Sequence, residues 1–179
     1  MKNILIFSTS PRKGGNSEIL ADAFSKGAIE NGNKTEKIYL SEKELHFCKG
    51  CLACQHTGKC VIHDAMDEII PKIIASDIIV FATPIYFYEM SGQMKTLLDR
   101  TNPVFPIEYN FRDIYLLATS ADEYPQSMDG AIKGLEGWVR CFEKVRLAGV
   151  VRGTGVNRSG EINNFPDLLK QAYELGKSA

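Results

Sequence analysis

Asn3 to Phe7 reads Asn-Ile-Leu-Ile-Phe, a continuous apolar run with no polar alternation. A strand of that kind is buried on both faces, which a parallel sheet covered by helices on either side provides. Similar runs recur at Asp77–Ala82, Ile114–Ala118 and Leu147–Val151, with a weaker one at Thr35–Leu40. Between them apolar residues fall at helical spacing: Ile19, Leu20, Ala23 and Phe24, then Met66, Ile69, Ile70, Ile73 and Ile74 behind a capping Asp64, with Pro71 an awkward resident. Helices are also predicted over Ser91–Arg100, Met128–Lys144 and Pro166–Gly176. Parallel strands need crossover connections, so this alternation predicts an α/β domain: a three-layer, doubly wound, five-stranded parallel sheet.

The 179 residues suit one domain, 1–179, with a cysteine-rich insertion at about 41–63 that shows no sustained period. Hydrophobic residues (44%) and charged residues (24%) are near the average for globular proteins, which excludes disordered, fibrous and membrane-bundle classes. The 21 Lys+Arg and 22 Asp+Glu nearly cancel, arguing against nucleic acid or an anionic membrane as a partner gripped by net charge. The apolar start is too short for a signal peptide and no run approaches a membrane span, so a cytoplasmic location is expected.

In doubly wound sheets ligands sit beyond the carboxyl ends of the strands, which directs attention to three loops. Ser8 to Ser17 supplies hydroxyls, backbone N–H groups and the cations Arg12 and Lys13 just before a helix, a natural seat for phosphate. It is neither G-x-G-x-x-G nor a Walker A loop. Thr83-Pro84-Ile85-Tyr86-Phe87-Tyr88 is read as a loop whose flat side chains suit a heteroaromatic ligand, or as packing and interface residues. Thr119 to Tyr124 adds hydroxyls and two carboxylates at the same edge, or is simply a solvated turn.

Of the five cysteines, Cys48, Cys51, Cys54 and Cys60 lie within thirteen residues in a C-x2-C-x2-C-x5-C pattern. Four thiolates so close can converge on an iron–sulfur cluster. A zinc site using three of them with His46, His56 or His63, reduced thiols, or a redox pair at Cys51 and Cys54 remain alternatives. Clustering of this kind suits a reducing compartment better than a secreted disulfide scaffold. Cys141, in the predicted Met128–Lys144 helix, is expected to be an inert core residue.

Taken in order, Ser10-Pro11-Arg12 with Gly15-Asn16-Ser17, the four-cysteine run, Thr83 to Tyr88, Met90-Ser91-Gly92-Gln93-Met94-Lys95 and Asp99-Arg100 resemble the flavodoxin-like NAD(P)H-dependent FMN reductases, and among them the iron–sulfur flavoprotein branch. The resemblance implies strand order 2-1-3-4-5 with FMN at the carboxyl edge. Ser10, Arg12, Asn16 and Ser17 would then hold the phosphate, Pro84, Ile85, Tyr86 and Phe87 would border the ring, and Thr119 and Ser120 would face it. Ala121, Asp122 and Glu123 stand where relatives commonly have glycines. The branch permits, without requiring, a [4Fe-4S] cluster on Cys48, Cys51, Cys54 and Cys60.

The activity so implied is an FMN oxidoreductase taking electrons from NAD(P)H to a small-molecule or protein acceptor. No side chain acts as acid, base or nucleophile, because the cofactor carries the chemistry. A ferredoxin-linked electron-transfer protein is the variant reading, and a non-catalytic zinc-binding interaction module the reading from another class. The resemblance also implies a homodimer or higher homo-oligomer, with Tyr86 to Thr101 as candidate interface.

Overall fold

The computed structural model describes residues 1–179. Its strands are β1 (Asn3–Ser8), β2 (Lys34–Tyr39), β3 (Ile78–Tyr86), β4 (Glu89–Met90), β5 (Asp113–Thr119) and β6 (Arg146–Gly153). Five of them form a parallel sheet in the order β2-β1-β3-β5-β6, while β4 folds back antiparallel on the end of β3. Setting that short strand aside, this is the 2-1-3-4-5 order of the flavodoxin type. The helices are α1 (Asn16–Glu30), α2 (Ala53–Thr57), α3 (Met66–Ala75), α4 (Gly92–Asp99), α5 (Asp129–Val139) and α6 (Pro166–Ser178).

The unbroken apolar run of β1 follows from its central place. Its side chains alternate between two cores, so Ile4 and Ile6 pack with Leu20, Phe24 and Ala172 of α1 and α6. Leu5 and Phe7 pack on the opposite face with Met66, Ile69, Met94, Leu97 and Leu135 of α3, α4 and α5. β2 lies at an edge, and of its residues only Ile38 is buried, which is why its sequence reads as a weaker strand. Pro71 sits inside α3, whose face of Met66, Ile69, Ile70 and Ile73 remains buried. The ring removes one backbone donor, and the apolar face offsets that loss.

α1 and α6 meet through two glycines. A Cβ on Gly27 would lie 2.0 Å from the Tyr173 carbonyl oxygen, and one on Gly176 only 1.9 Å from that of Phe24. The helix backbones therefore touch, and the approach fixes where the N-terminus of α1 stands beneath the sheet edge.

Three readings of the sequence are corrected. The run Thr83–Tyr86 is strand and not loop: β3 continues to Tyr86, with Pro84 opposite Thr119 of β5. β1 has already ended at Ser8, opposite Ala82, so the proline has β5 alone beside it, a place where its missing donor is tolerated. Phe87 and Tyr88 then form a tight turn with both residues at positive φ (50° and 65°). The helix expected over Met128–Lys144 stops at Val139, and the chain turns through Lys144 at φ 62° to enter β6. Cys141 lies in that turn and is exposed, its thiol donating to the Gly137 carbonyl, so it is not a core residue. Phe142 beside it does face inward, against Trp138, Phe111 and Phe105.

Candidate functional site

The loop from β1 to α1 turns over Ser10, whose hydroxyl accepts from the Arg12 N–H at 3.1 Å and donates back to the Arg12 carbonyl at 3.2 Å. Gly14 follows at φ 64°, a left-handed conformation that suits glycine. Gly15 caps α1 without a side chain, and a Cβ there would lie 3.0 Å from the Ser10 hydroxyl, closing the hollow between them. At the start of a helix the first N–H groups have no intrahelical acceptor, and those of Asn16, Ser17 and Glu18 find none elsewhere in the chain. The Ser17 hydroxyl points into the same hollow, fully buried and with no hydrogen-bond partner. Positive helix dipole, free donors and an orphaned hydroxyl together describe an anion seat awaiting its anion.

This hollow opens into a cavity of about 150 Å³ lined by Ser10, Arg12, Asn16 and Ser17 on one side and by Pro84, Ile85, Tyr86 and Thr119 on the other. Eight of the ten residues singled out from the sequence therefore share one cavity. Phe87 does not line it, because the turn at the tip of β3 holds its ring wholly in solvent. Ser120 does not line it either. Its buried hydroxyl accepts from the Asp122 N–H and from Ser127, holding the third loop in shape while Ala121 faces the cavity. Of the two cations in the first loop only Arg12 belongs to the site: Lys13 turns away to an ion pair with Glu42 at 2.6 Å.

Asn16 plays a different part from the one its type suggests. Its amide donates to the Arg158 carbonyl and accepts from the Ile162 N–H, so its backbone N–H and not its side chain is free for a ligand. Those partners belong to a fourth loop, following β6, which the sequence reading passed over. Arg12 donates to the Asn157 carbonyl and Ser159 to that of Gly14, and Asn157 and Ser159 also line the cavity. The loop reaches β1 across the sheet because α6 must pack against α1. Glu161 holds it in place by accepting the N–H groups of Asn157 and Arg158, and those bonds lower its carboxyl pKa. The polar run Asn157-Arg158-Ser159-Gly160 was the available signal.

At the tip of β3 the Tyr88 phenol donates to the Asp122 carboxylate at 3.2 Å, joining that turn to the third loop. That hydrogen bond, and then the carboxylate charge, raise the tyrosine pKa.

The cysteine segment stands apart from this cavity. Cys54, on the short α2, is its one buried cysteine; Cys48 and Cys51 are exposed and Cys60 is half-buried. Burial, and then the charges of Cys60, Cys48 and Cys51, push the Cys54 pKa up. Backbone N–H groups already point at two sulfurs, from Gly50 to Cys48 and from Ile62 to Cys60, both at 3.4 Å. The turns are made by left-handed Gly50, Leu52 and Gly58. Nowhere do three His, Cys, Asp or Glu side chains converge as closely as a single metal ion requires. Four cysteines, two with backbone N–H groups on their sulfurs, are the donor type that iron–sulfur clusters take.

Both ends of this segment meet Arg100, the C-terminal cap of α4. Its guanidinium, with no exposed surface, pairs with Asp64 at 2.6 and 3.0 Å. Burial favours the neutral carboxyl, but the Arg100 hydrogen bond and the N–H groups of His46 and Met66 outweigh it, and Asp64 titrates below its usual range.

A sequence profile of the NADPH-dependent FMN reductase family matches residues 2–129. An iron–sulfur flavoprotein of Archaeoglobus fulgidus is 39% identical over 94 residues, 52% of this chain and 43% of that protein. A Bacillus subtilis protein, YwqN, named as an NAD(P)H-dependent FMN-containing oxidoreductase, is 30% identical with 97% of this chain and 96% of its own covered. Among solved structures, the Trp repressor binding protein of Bacillus subtilis superposes with a TM-score of 0.69 at 25% identity, covering 97% of each chain. The matched region spans about half the length of the iron–sulfur flavoproteins. With its profile match, its near full-length relative and its sheet order in agreement, the chain belongs to the NADPH-dependent FMN reductase family.

Proposed function

We propose that the protein is an FMN-dependent oxidoreductase that takes electrons from NAD(P)H and passes them to a small-molecule or protein acceptor. The observation that carries this reading is the buried, unpartnered Ser17 hydroxyl among the free N–H groups at the start of α1. Those donors, with Ser10 and Arg12, would hold the FMN phosphate, and the Asn16 side chain would hold the fourth loop over them. Pro84, Ile85 and Tyr86 would border the ring with Thr119 and the buried Ser120 behind it. When bound, FMN supplies the hydride and electron chemistry, so the protein's work is binding, orientation and exclusion of water. No residue is needed as a general acid or base.

The four-cysteine loop supports a second element of the proposal, a [4Fe-4S] cluster on Cys48, Cys51, Cys54 and Cys60 acting as a one-electron outlet. The A. fulgidus relative is named an iron–sulfur flavoprotein, and this chain has the donors and the sulfur-directed amides for such a group. With the cluster present, ferredoxin would be an alternative donor. The wholly exposed Phe87 ring, between Tyr86 and Tyr88, supports a homodimer formed on the Tyr86–Thr101 side. No helix is long and apolar enough to cross a membrane, and the close free thiols favour a reducing, cytoplasmic setting.

Anaerobic purification followed by an optical spectrum, an iron count and mixing with NADPH or reduced ferredoxin tests the reading. The expected result is a flavin band that bleaches with NADPH. Protein that binds no FMN overturns the reading; bleaching with ferredoxin alone replaces the donor.

A further inference from the structure

From Ser41 to Ala65 only Cys54 is buried, so the cysteine segment has almost no core of its own to fix its shape. Its two ends are held together by one side chain from outside. Arg100 donates to the His46 carbonyl at 2.7 Å and to the Ile62 carbonyl at 3.2 Å, the two residues that bracket Phe47–Val61. Its partner Asp64 accepts the N–H of His46 and that of Met66, both at 2.9 Å. Entry and exit of the segment are thus tied to a single buried ion pair.

We propose that Arg100, paired with Asp64, is the positioning residue of the cysteine site: it closes the loop before any metal arrives. The proposal rests on the cluster reading above. A pair that merely joined α3 to α4 would need only the Arg100–Asp64 contact, and apolar residues of similar size often serve as well. Here two of the four guanidinium bonds go to carbonyls that belong to neither helix. The remaining donor, Nε–H, is buried without a partner. Asn102, two residues on, directs its amide at the Cys48 sulfur at 3.9 Å, so the region just past α4 also reaches the first of the four cysteines. Prior closure spares the metal the entropy of gathering the loop ends.

Three measurements test this. In metal-free wild-type protein, hydrogen exchange at the His46 and Met66 amides should be at least a hundredfold slower than at Lys49 and Cys51; equal rates would overturn the proposal. The double variant Arg100→Met with Asp64→Leu removes both charges and leaves an apolar pair in their place. After anaerobic reconstitution with iron and sulfide it should hold full FMN but less than half the wild-type iron, and wild-type iron content in it overturns the proposal. Arg100→Lys keeps the charge but not the fork, so it should lose iron likewise while holding full FMN; wild-type iron content in it would show that charge, and not closure of the loop ends, is what the site needs, and would overturn the proposal. Wild-type protein that keeps FMN yet takes up no iron defeats the cluster reading itself, a result the exchange rates leave separate.

Discussion

The β1–α1 loop and the cysteine loop both hold donor atoms ready for a foreign group, and they are supported in opposite ways. Of Ser8 to Ser17, six residues are buried, and the loop is held by the strand before it, the helix after it and the fourth loop above it. The cysteine loop is almost all exposed, and both its ends are tied to a single ion pair at its base. A site built into the sheet edge shares the stability of the core, so its shape survives loss of any one contact. A site on an insertion is only as ordered as its clasp, and the difference can be broken from either side.

The largest effect is expected at the clasp. Asp64→Asn leaves the Arg100 charge buried and unpaired, which should cost about 3–5 kcal/mol of stability in urea unfolding at neutral pH. The sign with pH follows from the lowered pKa of Asp64. A carboxyl that titrates lower in the folded state contributes its stability above its unfolded value near pH 4, and loses it as the pH falls through the folded one. Wild type and Asp64→Asn should therefore converge on acidification below about pH 4. A difference that is flat with pH would show that the pair is not what holds the loop.

On the other side of the comparison, the anchorage of α1 is a backbone contact. Gly176→Ala in an exposed helix would stabilise by about 1 kcal/mol through propensity. Here the new Cβ would fall 1.9 Å from the Phe24 carbonyl oxygen, and overpacking of that kind should cost about 1–3 kcal/mol. Thermal unfolding of the apoprotein reads the sign directly; a gain would mean that α1 and α6 separate freely and that the cradle is less rigid than the cysteine loop's clasp.

The same contrast governs how much the sequence discloses. Sheet, layers and the first loop were legible because burial on two faces forces continuous apolar runs and because Ser10 to Ser17 is local in sequence. The continuation of β3 through Pro84 was not, since a proline reads as a break unless it is known that β1 has already ended beside it. The fourth loop was missed because its contact with Asn16 spans 142 residues and follows from α6 packing on α1. Lys13 and Ser120 carry the right chemistry at the right place in sequence, yet one is drawn outward by Glu42 and the other inward by its own turn. Arg100 entered only as part of the family resemblance at the end of a helix; that it is buried, and what it ties, depends on three segments meeting.

Within the cradle, Ser17→Ala removes a hydroxyl that bonds nothing in the free protein. Apoprotein stability should therefore stay within about 0.5 kcal/mol of wild type. FMN affinity should fall roughly tenfold or a little more, the worth of one hydrogen bond to a charged group, read by quenching of flavin fluorescence. An unchanged affinity would remove Ser17 from the phosphate seat.

The smallest effect concerns Phe87, at the rim of the cavity and outside both supported regions. Its left-handed backbone costs roughly 1 kcal/mol for a side chain that is wholly exposed and packs against nothing in the chain. Asparagine tolerates that conformation, so Phe87→Asn should raise monomer stability by about 0.5–1 kcal/mol in dilute thermal unfolding. If the ring is kept for a second copy of the chain, sedimentation should show the same variant dissociating at higher concentration than wild type. The two readings then move in opposite directions, because strain at a turn is tolerated where the exposed side chain finds its partner on another molecule. Stability that rises while assembly is unchanged would leave the turn strained without the interface to account for it, and would place the dimer contact elsewhere on the surface.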